Sequence, residues 1–115
     1  MTRPTIDVAT FNELKETAGA DFINELVDTF LTEAPLMLAE LRSAFAVRDA
    51  DVFRRAAHSL KSNSNTFGAH TLGAMARELE LTGIDPVSNA NAQPLDALAQ
   101  EYARVAAALA ELRHA

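Results

Sequence analysis

The sequence predicts an all-α protein: an antiparallel four-helix bundle of the up-down type, with one or two short accessory helices. Three observations support this fold class. Apolar residues recur at spacings of three and four, strand-like alternation is absent, and glycine or proline separates the periodic stretches. A length of 115 residues, 49% of them hydrophobic, fits a single domain over 1–115, with 1–5 as a loose lead-in.

The first half of the chain contains two or three helical stretches. Apolar spacing predicts a short helix over 7–17, with the Asp7 side chain accepting from free N–H groups at its start. Apolar pairs every four residues predict a second helix over 20–34. Because proline suits a first turn and disfavours helix at the preceding residue, Pro35 predicts a third helix over 35–48. One longer helix with a kink at the proline is the alternative.

The second half contains three more helices. A fourth helix begins near 51 and ends at Gly68, since glycine adopts the left-handed conformation at a helix end at little cost. A fifth helix is predicted over 69–82. A loop rich in Asn, Pro and Ser covers 85–93, and Pro94 opens a last helix that runs nearly to the end of the chain.

Composition excludes several classes of function. A formal net charge of −6 argues against nonspecific nucleic-acid binding, and the absence of cysteine excludes thiolate chemistry and disulfides. There is no glycine-rich phosphate loop, and the three histidines lack the spacing of HExxH or His-x3-5-His metal sites. We interpret the scattered carboxylates as solvated helix surface. Without a signal peptide or membrane span, we expect a cytoplasmic protein. We also expect a monomer.

The fourth helix presents one histidine to solvent. At about 100° per residue, His58 lies roughly 160° from the centre of the apolar stripe. Its neighbours one turn away are polar, and three of them are cationic: Arg54, Arg55, Lys61 and Ser62. From helical position alone, the simpler interpretation of His58 is an ordinary exposed polar residue.

The segment 57–69, A-H-S-L-K-S-N-S-N-T-F-G-A, resembles the signature of histidine-containing phosphotransfer (HPt) domains, H-x-L-K-G-[small]-[small]-x-x-[apolar]-G-A. Ser62 departs from the glycine that is common in the family. The positions that match in register are His58, Leu60, Lys61, Ser64, Phe67, Gly68 and Ala69.

The resemblance implies that Nε2 of His58 carries a phosphoryl group between the aspartates of receiver domains in a two-component phosphorelay. Lys61 would neutralise phosphate oxygens, and a tight turn at Gly68 and Ala69 would hold the histidine helix. The residues that would support the phosphoryl group or the partner are Ser62, Arg54, Arg55 and Asn65.

The implied partners are receiver domains of response regulators, a hybrid sensor histidine kinase, or both. The chain would be a transfer intermediate without kinase activity of its own, so its status as an enzyme stays open. Mg²⁺ would be bound by the receiver, so we predict that this chain has no bound metal and no cofactor. An apolar docking patch is expected near His58, with Leu36 or Met37 as candidates. The alternatives are a helical module that binds a receiver or another signalling partner without transferring phosphate, and a purely structural bundle.

Overall fold

The computed structural model describes residues 5–84 and 93–113. These residues form five helices: α1 (Val8–Ala18), α2 (Ala20–Val47), α3 (Ala50–Thr66), α4 (His70–Thr82) and α5 (Gln93–Arg113). Within these two ranges there is no β-strand. The predicted all-α class is therefore confirmed. Most of the predicted loop, 85–92, lies outside the described residues.

Helices α2 to α5 form the four-helix bundle, and α1 is the short accessory helix. α3 packs between α2 and α4, α5 closes the bundle against α2 and α4, and α1 lies against α2. The core is continuous across these elements, which is the arrangement that buries one apolar stripe per helix. Its largest fully buried side chains include Phe11, Ile23, Leu41, Phe53, Leu60, Leu72, Leu98 and Leu109.

The predicted break before Pro35 is wrong, and the alternative of one longer helix is right. Pro35 lies inside α2, which continues without interruption from Ala20 to Val47. A proline in a helix leaves the carbonyl four residues earlier without its N–H donor. That carbonyl belongs to Leu31, and the Tyr102 hydroxyl of α5 donates to it across 3.4 Å. Tertiary packing thus supplies a donor that the local sequence lacks.

The bounds of α3 follow from local chemistry at both ends. Asp49 caps its start, because its Oδ1 accepts from the N–H of Val52 at 3.1 Å. At the other end, the chain turns at Gly68, whose φ is +83°. The buried stripe predicted for this helix is confirmed: Phe53, Ala56, Ala57, Leu60 and Ser64 face the core.

None of the helices in the described part of the chain combines the length and the apolar character that crossing a bilayer requires.

Candidate functional site

His58 lies on the outer wall of the bundle, in the middle of α3. Its side chain is 57% exposed, while the residues before it and two after it, Ala57 and Leu60, are fully buried. The rigid packing of one face of α3 therefore fixes the position of the helix while the imidazole projects outward. The expectation from helical spacing, a solvent-facing ring, is confirmed.

The ring is oriented by a carboxylate on the neighbouring helix. Nδ1 of His58 lies 2.8 Å from Oε2 of Glu80, on α4. An ionised carboxylate only accepts hydrogen bonds, so Nδ1 carries the proton and donates it. In the neutral ring, Nε2 then has no proton and holds a lone pair. Glu80 thereby selects the tautomer in which the nitrogen far from α4 is the nucleophile.

The same carboxylate also holds a lysine. Lys61 Nζ donates to Oε1 of Glu80 at 2.9 Å, so the two oxygens of one carboxylate serve two donors. The hydrogen bond from Lys61, together with that from His58, outweighs the opposing effect of desolvation and lowers the pKa of the Glu80 carboxyl below its ordinary value. Glu80 is therefore ionised throughout the neutral range, which the tautomer assignment requires.

The other predicted supporting residues lie around His58 without bonding to its ring. Arg54 bonds the Asp51 carboxylate at 3.3 Å, and Arg55 Nε donates to the Asp51 carbonyl at 3.4 Å. Ser62 is exposed one turn beyond His58. With three basic residues and one acidic residue, α3 is a cationic helix on an acidic chain.

Asn65 lies near the turn between α3 and α4, whereas the apolar docking candidates Leu36 and Met37 lie on α2. The Asn65 amide oxygen lies 3.3 Å from Nδ1 of His70, at the start of α4, about 10 Å along the helix axis from His58. Leu36 is 66% exposed on α2, whereas Met37 is partly buried and packs against the core. Of the two apolar candidates, Leu36 is the one with surface to offer a partner.

The turn at Gly68 and Ala69 connects α3 to α4 and also contacts the segment that precedes α1. Gly68 O accepts from the Asp7 N–H at 2.8 Å. A Cβ at position 68 would lie 2.8 Å from the Asp7 carbonyl oxygen, closer than real Cβ atoms approach. Ala69 is fully buried. Close approach and positive φ together explain why glycine occupies this position.

Glu80 is the residue that sequence reasoning missed, because the carboxylates were interpreted as solvated surface. That interpretation is wrong for Glu80, whose side chain is only 18% exposed. A signal was present in the turn: His58 and Glu80 lie eleven residues before and after Ala69, so an antiparallel pair of helices brings them to the same level. The pair Asn65 and Gly73, four residues either side, is in contact for the same reason.

Comparisons with known proteins agree with this geometry. The family model described as "Hpt domain" matches residues 25–115. The sensor protein TorS of Escherichia coli (strain K12) is 33% identical over 76 residues, 66% of this chain. The chain spans only 8% of the length of TorS.

The fold match extends over nearly the whole chain. The crystal structure of histidine-containing phosphotransfer protein B (HptB) from Pseudomonas aeruginosa PAO1 aligns with a TM-score of 0.83 at 26% identity. The alignment covers 98% of this chain and 97% of that one. Together with the family model, the exposed histidine and its motif, this shows that the chain belongs to the Hpt domain family, the histidine phosphotransfer domains of phosphorelays.

Proposed function

We propose that His58 accepts a phosphoryl group from the aspartyl phosphate of one receiver domain and passes it to the aspartate of another. The observation that carries this proposal is the hydrogen bond between Nδ1 of His58 and Glu80, which leaves Nε2 of the neutral ring unprotonated on a side chain that is 57% exposed. An exposed ring on a convex surface allows the in-line approach that phosphoryl transfer needs.

The step conserves atoms and charge. The Nε2 lone pair of His58 forms the N–P bond as the P–O bond to the aspartate breaks, and the aspartate leaves as a carboxylate. The ring acquires positive charge, which Glu80 stabilises through the Nδ1–H bond that it already accepts. Transfer to the next receiver is the reverse of this step, with the new aspartate as the nucleophile.

Lys61 provides a cation that shares the Glu80 carboxylate with the reacting ring. It lies three residues after His58, on the same side of α3, and its ammonium is held at 2.9 Å from Glu80. A phosphoryl group on Nε2 brings a second anion within reach of its flexible stem. We propose that Lys61 contacts the phosphoryl oxygens, with Ser62, Arg54 and Arg55 shaping the field around them.

The partner surface extends from His58 towards α2. Among the five described helices, α3 alone carries net positive charge, which complements the acidic pocket of a receiver. Exposed Leu36 on α2 provides apolar area beside that charge. We propose a modest, transient interface here, with Mg²⁺ bound by the receiver. We also propose that the chain acts as a monomer in the cytoplasm, which light scattering and localisation of a tagged chain would test.

The test is phosphoryl transfer in vitro. A panel of receiver domains from the source genome is labelled with radioactive acetyl phosphate and mixed with the chain, and acid-labile, alkali-stable label on the chain is measured. His58→Gln should abolish the label. His70→Gln is the matched control, since His70 is also exposed but lies at the α3–α4 turn.

Label that persists in His58→Gln contradicts the assignment of the phosphorylated residue. Receivers that bind the wild-type chain without ever labelling it would instead show an interaction module that transfers no phosphate.

A further inference from the structure

The α4 side of His58 carries an exposed apolar residue that the site described above does not use. Leu81 directly follows Glu80, and it is 64% exposed. It is one of five large hydrophobic residues exposed in the described part of the chain. Arg77, exposed on the preceding turn, lies four residues earlier and shares the face of Leu81. Leu81 and Arg77 together are called the α4 flank below.

The hydrogen bond to Glu80 ties the α4 flank to the reacting nitrogen. Consecutive Cα atoms are about 3.8 Å apart, and a glutamate side chain adds roughly 5 Å of reach. The hydrogen bond from Glu80 to Nδ1 adds 2.8 Å, and the ring adds roughly 2 Å between Nδ1 and Nε2. The Cα of Leu81 therefore lies within about 14 Å of Nε2.

A receiver that reaches Nε2 must cover this distance. Transient interfaces bury up to about 600 Å² of each partner, which corresponds to a disc with a radius of up to about 14 Å. A disc centred on Nε2 therefore includes Leu81 on α4, just as it includes part of α2 on the other side.

We propose that the α4 flank is the second half of the receiver-docking surface, with Leu81 packing against apolar surface beside the receiver's phosphorylated aspartate. Arg77 pairs with a carboxylate at the rim of the same pocket. The occupant is a receiver because only a partner that approaches Nε2 has to cover both flanks of α3. This inference rests on the proposed phosphoryl transfer through His58.

The charge of the α4 flank fits this occupant. Arg77 places an exposed positive charge one turn from Leu81, and Lys61 is bound to Glu80, the residue next to Leu81. Receivers present carboxylates where the phosphoryl group resides, and complementary charge around an apolar anchor favours rapid, specific encounter.

The experiment compares Leu81→Asp with Phe22→Asp. Phe22 is 50% exposed on α2. It lies about 12 Å along the axis beyond Phe30, which contacts Phe67 at the far end of α3. It therefore lies roughly 25 Å from His58, outside the disc. Both variants place a carboxylate on an exposed position, and circular dichroism verifies that each is folded. Leu81→Ala is the milder second variant.

Two phosphoryl donors separate docking from chemistry. With the phosphorylated receiver that labels the wild-type chain fastest, Leu81→Asp should slow transfer at least tenfold, Leu81→Ala about threefold, and Phe22→Asp less than twofold. With phosphoramidate, a small donor that needs no docking surface, Leu81→Asp should remain within twofold of the wild-type chain.

Each other outcome overturns the proposal in a distinct way. Equal rates for Leu81→Asp and Phe22→Asp with the receiver place docking elsewhere. A parallel loss with phosphoramidate shows that Leu81 acts on the ring itself instead of on the partner. A wild-type chain that phosphoramidate labels but no receiver labels overturns the proposed function, and this inference with it.

Discussion

Replacing Glu80 with glutamine should slow phosphoryl transfer through His58 about tenfold or more. The substitution keeps the size of the side chain but removes its charge and one acceptor. In the native site, two carboxylate oxygens accept from two donors, Nδ1 of His58 at 2.8 Å and Nζ of Lys61 at 2.9 Å. An amide has one acceptor oxygen in place of two, so it cannot accept from both donors at their native positions, one on each oxygen.

The size of the expected rate loss follows from the two orientations that the amide can adopt between Lys61 and His58. When its oxygen faces Lys61, its NH₂ group faces the ring, so Nδ1 must accept and the ring proton moves to Nε2. That proton blocks the lone pair that attacks phosphorus. When the oxygen faces His58 instead, the tautomer survives, but the negative charge that stabilises the positive ring is lost. For histidines that bind metals, loss of the group that orients the ring costs about tenfold to hundredfold in activity, and we expect a loss of the same order here.

The assay has a kinetic and a spectroscopic part. Rapid-quench measurements follow transfer from a phosphorylated receiver, and long-range ¹H–¹⁵N spectra at pH 8 report which ring nitrogen of His58 carries the proton. Glu78→Gln is the control, because Glu78 is exposed on the same helix and its substitution changes the net charge by the same amount. The wild-type chain should show a proton on Nδ1, and Glu80→Gln a mixture of tautomers.

Two results would refute this reasoning. One is a transfer rate in Glu80→Gln within twofold of that in Glu78→Gln. The other is an unprotonated Nε2 in Glu80→Gln as complete as in the wild-type chain, which would show that something other than the carboxylate selects the tautomer.

Three further predictions concern stability. Gly68→Ala should destabilise the fold by about 3 kcal/mol in urea titrations, because the new Cβ is strained at positive φ and clashes with the Asp7 carbonyl oxygen. The clash also breaks the backbone hydrogen bond between Asp7 and Gly68. Gly83→Ala, at φ +74° in open space, should cost only about 1–2 kcal/mol. Tyr102→Phe should cost about 1 kcal/mol, and less in a Pro35→Ala background, where a backbone N–H again reaches the carbonyl; equal costs in both backgrounds would contradict the contact. Because its hydrogen bonds to Lys61 and His58 lower the pKa of Glu80 from 4.5, the wild-type chain should be more stable than Glu80→Gln at pH 7. This difference should shrink as the pH falls below about 4.5, and a difference that stays constant on acidification would contradict the ion pairing.

Local sequence was sufficient for most of the fold. Periodicity indicates most of the helices, and the sequence predicts the cap at Asp7 and the stop at Gly68 because both depend on residues close in the chain. Pro35 was misjudged because its effect depends on a residue far away. The carbonyl that it leaves without a donor is served by Tyr102, which no local pattern reveals.

The candidate site divides in the same way. The exposure of His58 follows from the buried stripe on its own helix, and Lys61 lies one turn away in the same segment. Glu80 belongs to the next helix, and its proximity depends on the register of two packed helices. Local patterns treat such a carboxylate like any other on a polar face, although its partners give it a different role.

The sequence by itself determined that the chain is helical, where most of its helices begin and end, and that one imidazole must face solvent beside cations. Those properties depend on the spacing of residues within single helices. Only the tertiary structure decided which nitrogen of that imidazole is free to react, because the deciding hydrogen bond joins two helices. A contact of 2.8 Å depends on how the helices pack against each other, and packing involves every residue of the core at once.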